Sequence, residues 1–235
     1  MERAGVSSTL VRAQAWFVNW LIQRDLRRHF RAVYVRGSPP DTTAPIVLFA
    51  NHHYWWDGYL SHWLIRSWGR RMVVWMESYR RFPPFEAIGA LPFPSYDPIA
   101  RARTIKRTVQ ILSAEPAVLL LFPEGELHGD TERLLPFQRS LHWLHCRLPQ
   151  AMLLPLAIHI EPSYHQYPRA YLCVGEPFES AATSPTQWLG DAARAVEQLL
   201  HQTRVEARTT VDDLTHQAQD FQVLLRGMRS IHERF

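Results

Sequence analysis

The segment Asn51-His52-His53-Tyr54-Trp55-Trp56-Asp57-Gly58 places two imidazoles and a carboxylate within a few residues of one another. An imidazole near its ordinary pKa of ~6.5 takes a proton from a hydroxyl at neutral pH. A carboxylate on its other ring nitrogen fixes the tautomer and stabilises the imidazolium that forms. Two pairings are open. His53 and Asp57 are four apart and share one face of a continuous helix. His52 and Asp57 are five apart, roughly 140° around a helix, and meet only across a turn. Helical spacing begins at Asp57, a favoured N-cap residue, which leaves both histidines in the turn and both pairings available.

A second segment, Phe122-Pro123-Glu124-Gly125-Glu126, follows another apolar run. Proline ends a strand there, and glycine permits a tight bend with exposed backbone N–H groups. Glu124 is then presented at the same sheet edge as His52. A third, Leu154-Pro155-Leu156-Ala157, puts proline inside an apolar strand and predicts an edge or a bulge. No Gly-x-Ser-x-Gly elbow, Walker loop or Gly-x-Gly-x-x-Gly occurs. His52, His53 and Asp57, or His142 and His145, are possible metal ligands. They lack a further carboxylate or Cys/His set at matching spacing, so no metal or cofactor is expected.

The elements that must position these groups follow from periodicity. Six short apolar runs, Ala32–Val35, Ile46–Ala50, Met72–Met76, Val118–Phe122, Leu153–Ile160 and Ala170–Val174, read as strands. Several are apolar throughout, as in strands covered on both faces. Helical spacing marks 57–68, 98–114, 137–147, 185–203 and 206–233. In the last of these, Val211, Leu214, Ala218, Phe221, Leu225 and Met228 step by three and four. Residues 6–31 read as an amphipathic helix with Leu10, Ala13, Phe17, Trp20 and Leu21 along one side and Arg24, Arg27, Arg28 and Arg31 at its end. That helix suits either a lipid headgroup layer or simple packing on the domain. The expected fold is α/β, with a mostly parallel central sheet flanked by helices. Residues 1–31 form the N-terminal helical segment, 32–180 the domain proper, and 181–235 C-terminal helices packed on it.

Taken together these segments resemble the 1-acylglycerol-3-phosphate acyltransferase-like (lysophospholipid acyltransferase) family over residues 33–178. The resemblance rests on the Asn-His-x4-Asp block and on Phe-Pro-Glu-Gly at 122–125. It extends to Leu-Leu-Pro-Phe-Gln-Arg at 134–139, the proline-bearing strand, and Val174-Gly175-Glu176-Pro177. It implies a His52/Asp57 catalytic dyad, with Phe122, Pro123, Glu124 and Gly125 binding substrate. Where the family carries a small hydroxyl residue and arginine after Phe-Pro-Glu-Gly, this chain has Glu126, Leu127 and His128. The block Gly89–Ser95 lacks the family's phosphate-binding arginine; Arg101 and Arg103 on the following helix are candidates to replace it. A phosphate-bearing acceptor is therefore no better supported than a neutral, sugar-bearing or amine-bearing one. His-His-x3-Asp-Gly also matches the chloramphenicol acetyltransferase and peptide-condensation superfamily, in which His53 would be the base. That motif lies well into the chain or near its end and comes without Phe-Pro-Glu-Gly, which favours His52.

Composition bounds the function classes. With 46% hydrophobic and 20% charged residues over 235 positions, the chain can bury a full core. No apolar run approaches the roughly 20 residues of a membrane span. Arginine supplies 25 of the 26 basic residues, Lys106 being the exception, and nine tryptophans are present. Both suit phosphates or a lipid surface, and both also fit an arginine-rich proteome. Five of the nine tryptophans (Trp55, Trp56, Trp63, Trp68, Trp75) cluster around or just after the proposed base, where they could line an acyl groove or seat the protein on a membrane. Cys146 and Cys173 are expected to be buried thiols in a reducing compartment rather than a disulfide. Arg12 and Asn19 interrupt the N-terminal apolar residues, unlike a signal peptide.

The expected activity is transfer of a fatty acyl group from acyl-CoA or acyl-carrier protein to a hydroxyl of a lysophospholipid, glycolipid or other lipid. The protein is expected to be cytoplasmic and peripheral on the inner face of the cell membrane. The alternatives are a thioester or lysolipid hydrolase using the same dyad, and a non-catalytic binder of anionic membrane or nucleic acid. Nucleic acid is not an expected partner, because the arginines are spread along the chain without a binding module.

Overall fold

The computed structural model describes residues 2–162, 165–209 and 219–231, with only the helical backbone described over 2–8. Eight strands form one sheet: β1 (Ala32–Arg36), β2 (Ile46–Ala50), β3 (Met72–Met76), β4 (Ala90–Pro92), β5 (Val118–Leu121), β6 (Met152–Glu161), β7 (Arg169–Val174) and β8 (Gln222–Arg226). Their order across it is β4-β3-β5-β2-β6-β7-β1-β8. All neighbours pair in parallel except β6 with β7 and β1 with β8. The helices are α1 (Glu2–His29), α2 (Asp57–Ser67), α3 (Pro98–Ala114), α4 (Arg139–Arg147) and α5 (Pro185–Thr209), with two 3₁₀ turns at Glu77–Arg81 and Pro83–Ile88. The expected α/β architecture is the one observed.

Strand alternation sorts the core into two layers. Ile46, Leu48 and Ala50 of β2 meet Val18, Ile22 and Leu26 of α1, Phe30 just beyond it, and Leu60, Leu64 and Ile65 of α2. Val47 and Phe49 face the other way, onto Leu112 of α3, Leu141 and Leu144 of α4, and Trp188, Ala192 and Val196 of α5. β2 and β5 are apolar at every position because both of their faces are covered. Since β2, β3, β4, β5 and β6 run in parallel, their C-terminal ends meet at one edge. Ligand crevices of open α/β sheets form at that edge.

Five expectations are corrected. The buried side of α1 is Val18, Ile22 and Leu26, an i, i+4 row that Phe30 continues just past the helix end; Leu10, Phe17 and Trp20 lie on the exposed side. The helix expected over 206–233 is absent in that form. α5 continues to Thr209, and Gln222–Arg226 is a strand antiparallel to β1; Val211, Leu214 and Ala218 lie outside the described residues. Gly227 follows at a point where a Cβ would lie 2.0 Å from the Phe30 carbonyl oxygen, so only glycine allows this close return to the end of α1. Pro155 lies in no bulge and β6 is not an edge strand of the sheet, although its β7 side is open at this residue. It sits inside β6, where the β7 ladder begins only at Leu156, and its carbonyl still accepts from Gly175 N. Asp57 is not the N-cap of α2; Trp56 holds that place and Asp57 is the first helical residue. Cys173 is buried as expected, but Cys146 is exposed.

Candidate active site

The turn after β2 is built by Asn51. Its Oδ1 accepts from Ile158 N at 2.8 Å and its Nδ2 donates to the Ile158 carbonyl at 2.9 Å. The side chain thereby imitates a backbone rung and extends the β2–β6 ladder beyond Ala50. The backbone is freed to turn away, and His52 emerges at the sheet edge. The turn closes through Asp57, whose Oδ2 accepts from Tyr54 N at 2.9 Å and faces His52 Nδ1 at 3.1 Å.

Because a carboxylate only accepts, His52 carries its proton on Nδ1 toward Asp57, leaving the Nε2 lone pair outward. Nothing among the described residues hydrogen-bonds His52 Nε2, and the side chain keeps 23% of its surface exposed, against none for the Asp57 carboxyl. The ring lies flat on Phe122, with centroids 4.1 Å apart and planes 15° apart. Burial pushes the Asp57 carboxyl above the usual carboxylate range, opposed by the hydrogen bonds from His52 and Tyr54 N.

His53 is placed differently. It is 3% exposed, and Asn51 Nδ2 faces its Nδ1 at 3.3 Å. Asn51 is locked by Ile158, so His53 Nδ1 accepts and its proton sits on the buried Nε2. Burial pulls its pKa down to about 4. A ring with its basic nitrogen occupied and no route to solvent is a poor base. The structure therefore pairs Asp57 with His52, not His53.

Glu124 lies where the second segment was expected to bring it, beside His52, yet its carboxylate is fully used within the protein. Oε1 accepts from His52 N at 2.6 Å. Oε2 accepts from Leu135 N and from His128 Nε2, each at 2.7 Å. The side chain is fully buried, so Glu124 supports the His52 backbone rather than facing outward. Pro123 is also buried, and Gln138 N donates to its carbonyl at 2.7 Å. Gly125 is exposed with φ 84°, the left-handed conformation that this turn requires and glycine adopts freely. Phe122 serves as the floor under the His52 ring.

Arg101 and Arg103 are not brought together. Two residues apart on α3, they point roughly 200° from each other. The Arg101 guanidinium lies 6.0 Å from the Phe93 ring centroid, while Arg103 is exposed. Phe93 in turn stacks on Trp75 at 4.5 Å. Trp55, which is 62% exposed, packs on Trp56 and Tyr59, and Tyr59 reaches Phe85. Trp55, Trp56, Tyr59 and Phe85 thus form one connected aromatic group at the start of α2, a few residues along the chain from His52.

His128 is the residue that sequence reasoning missed as a site member; its signal was the four-residue spacing from Glu124. His53, Glu124 and His128 have the residue types to hold a metal, with ligand atoms within 4.8 Å of one another. Their tautomers oppose it. Asp130 N donates to His128 Nδ1 at 3.2 Å, which puts the His128 proton on Nε2. Both rings thus present N–H groups to the cluster, whereas a ligating imidazole presents a lone pair and donates from its other nitrogen.

The fold and the site invite comparison with known proteins. A search of curated protein sequences gave no match. Among solved structures, the 1-acyl-sn-glycerophosphate (LPA) acyltransferase PlsC from Thermotoga maritima is similar, with a TM-score of 0.54 at 16% identity. That alignment covers 86% of this chain and 83% of the other. The family model Acyltransferase matches residues 18–159, more than half of the chain. The match runs from the buried half of α1 through His52, Asp57 and Glu124 to β6, and on it the chain belongs to the Acyltransferase family.

Proposed function

We propose that the protein transfers a fatty acyl group from a thioester, acyl-CoA or acyl-carrier protein, to a hydroxyl of a lysophospholipid, glycolipid or other lipid acceptor. The observation that carries this reading is the His52 Nδ1–Asp57 Oδ2 contact of 3.1 Å, with Nε2 left unbonded. His52 Nε2 removes the acceptor's hydroxyl proton as the oxygen attacks the thioester carbonyl. The tetrahedral intermediate collapses with cleavage of the C–S bond, and the departing thiolate takes the proton back from the imidazolium. An ester and a free thiol result, with no acyl-enzyme and no metal in any step. Asp57 holds the tautomer and balances the transient charge. The aromatic group of Trp55, Trp56 and Tyr59, close in the chain to His52, suits an acyl chain.

α1 supports a peripheral seat on a membrane. Leu10, Val11, Trp16, Phe17 and Trp20 are between 43% and 68% exposed on the side turned from the core. Phe17 stacks on Trp20, and the Arg24 guanidinium lies 5.0 Å from the Trp20 ring centroid. Apolar rings followed by arginines match an anionic lipid surface such as the cytoplasmic leaflet. No helix among the described residues is long and apolar enough to cross a membrane.

The test is to incubate the protein with isotope-labelled palmitoyl-CoA and a total lipid extract, and to identify labelled products by mass spectrometry. A labelled acyl ester of a lipid is expected. Labelled free fatty acid alone would replace this reading with hydrolysis, and intact thioester would replace it with a non-catalytic role.

A further inference from the structure

The three residues after Gly125, Glu126-Leu127-His128, depart from the family pattern, and one of them is built into the site. His128 is fixed on both ring nitrogens. Asp130 N donates to Nδ1 at 3.2 Å, and Nε2 donates to Glu124 Oε2 at 2.7 Å. The ring is nearly enclosed, with 11% of its side chain exposed, and sets its edge against His53 at 4.9 Å and 76°. It therefore contacts the two groups that flank the His52 backbone: the next residue in the chain and the carboxylate that grips His52 N.

We propose that His128 is a positioning residue that acts on His52 through Glu124. A buried carboxylate held at one point can pivot. Leu135 N alone fixes one position of Oε2, whereas His128 adds a second donor from a different direction and sets the carboxylate plane. Oε1 is then aimed at His52 N, where it makes the 2.6 Å bond. That short, charge-assisted bond locks the backbone from which the imidazole projects. Asp57 and Phe122 orient the ring, and Glu124 with His128 sets its height above the sheet edge. The gain is geometric, since displacement of a base by a fraction of an ångström weakens its action on a bound hydroxyl. This inference rests on His52 being the base, and its test separates the two claims.

The experiment compares the full chain with His128→Ala and His128→Gln, both checked for an unchanged circular dichroism spectrum. The first readout needs no substrate: the His52 amide proton by ¹H–¹⁵N NMR, shifted downfield by its short bond to a carboxylate. It moves upfield in His128→Ala and returns toward its original place in His128→Gln, whose amide can donate to the same oxygen. The second readout is turnover of palmitoyl-CoA in the dispersed lipid extract. The expected result is an about tenfold fall in kcat for His128→Ala, with KM for palmitoyl-CoA held and most of kcat restored by His128→Gln. An unmoved His52 amide overturns the proposal, as does a change confined to KM, which would place His128 against substrate. If His52→Ala retains full turnover while the amide still responds to His128, the base assignment falls and the positioning link stands.

Discussion

The segments 51–57 and 122–138 both leave central parallel strands at the same edge of the sheet, and both carry a carboxylate and histidine. Their side chains are employed in opposite ways. In the first, Asp57 takes one nitrogen of His52 and leaves the other open. In the second, Glu124 accepts from three donors and His128 is bonded on both nitrogens. A reactive imidazole requires one satisfied nitrogen and one free; a support requires every polar atom satisfied, since an unpaired buried group costs about 1–3 kcal/mol. The contrast repeats within the first segment, where His52 faces out and His53, its neighbour, is buried.

The largest effect that sharpens this contrast is on the base itself. His52→Ala is expected to lose between about 10²- and 10⁴-fold in turnover with the fold intact, while His53→Gln keeps most of its activity. A larger loss in His53→Gln, measured in the same palmitoyl-CoA assay, would reverse the two roles. Asp57→Asn comes next. Its amide oxygen can take the place of Oδ2 and keep both hydrogen bonds, but the charge that balances the imidazolium is lost, so kcat falls on the order of 10²-fold with KM held; unchanged kcat would detach Asp57 from the chemistry.

Buried histidines supply a stability prediction. Burial holds His53 and His62 at about 4, below the unfolded value of 6.5. Between those values the unfolded chain binds more protons, so stability rises with pH through this window and is lost as pH falls from 6.5 toward 4. His62, whose Nε2 donates to Asn19 Oδ1 at 2.7 Å and ties α2 to α1, contributes up to about 3 kcal/mol of that loss. Urea midpoints of His62→Gln at both ends of the window should differ less than those of the parent chain. An equal difference would mean that His62 titrates normally. The smallest expected effect is at α1, where Trp16→Ser with Trp20→Ser lowers partitioning onto anionic vesicles about tenfold. Unchanged partitioning would move the membrane contact elsewhere.

Much of the fold was legible because β2 and β5 are buried on both faces and so are written as unbroken apolar runs. β4 was not, since three residues carry no period. β8 was missed because Phe221, Leu225 and Met228 fit helical spacing, and only pairing with β1 selects the extended form. On α1 the aromatic stripe misled: the core takes the aliphatic row Val18, Ile22, Leu26, with Phe30 just beyond the helix, and leaves the tryptophans out. At the site, His52, Asp57 and Glu124 were legible from residue type and spacing. The demotion of His53 was not, because it depends on Asn51 being locked by Ile158, a contact 107 positions away. His128 was hidden for the same reason, since Leu135 and Asp130 must fold back to complete its network.

The most direct test of the central contrast is the tautomer of the two adjacent rings, read by long-range ¹H–¹⁵N correlation at about pH 8, where an ordinary imidazole is neutral. The His52 proton is expected on Nδ1 with Nε2 bare, and the His53 proton on Nε2 with Nδ1 accepting. A His52 ring protonated on Nε2, or two rings in the same tautomer, would contradict it.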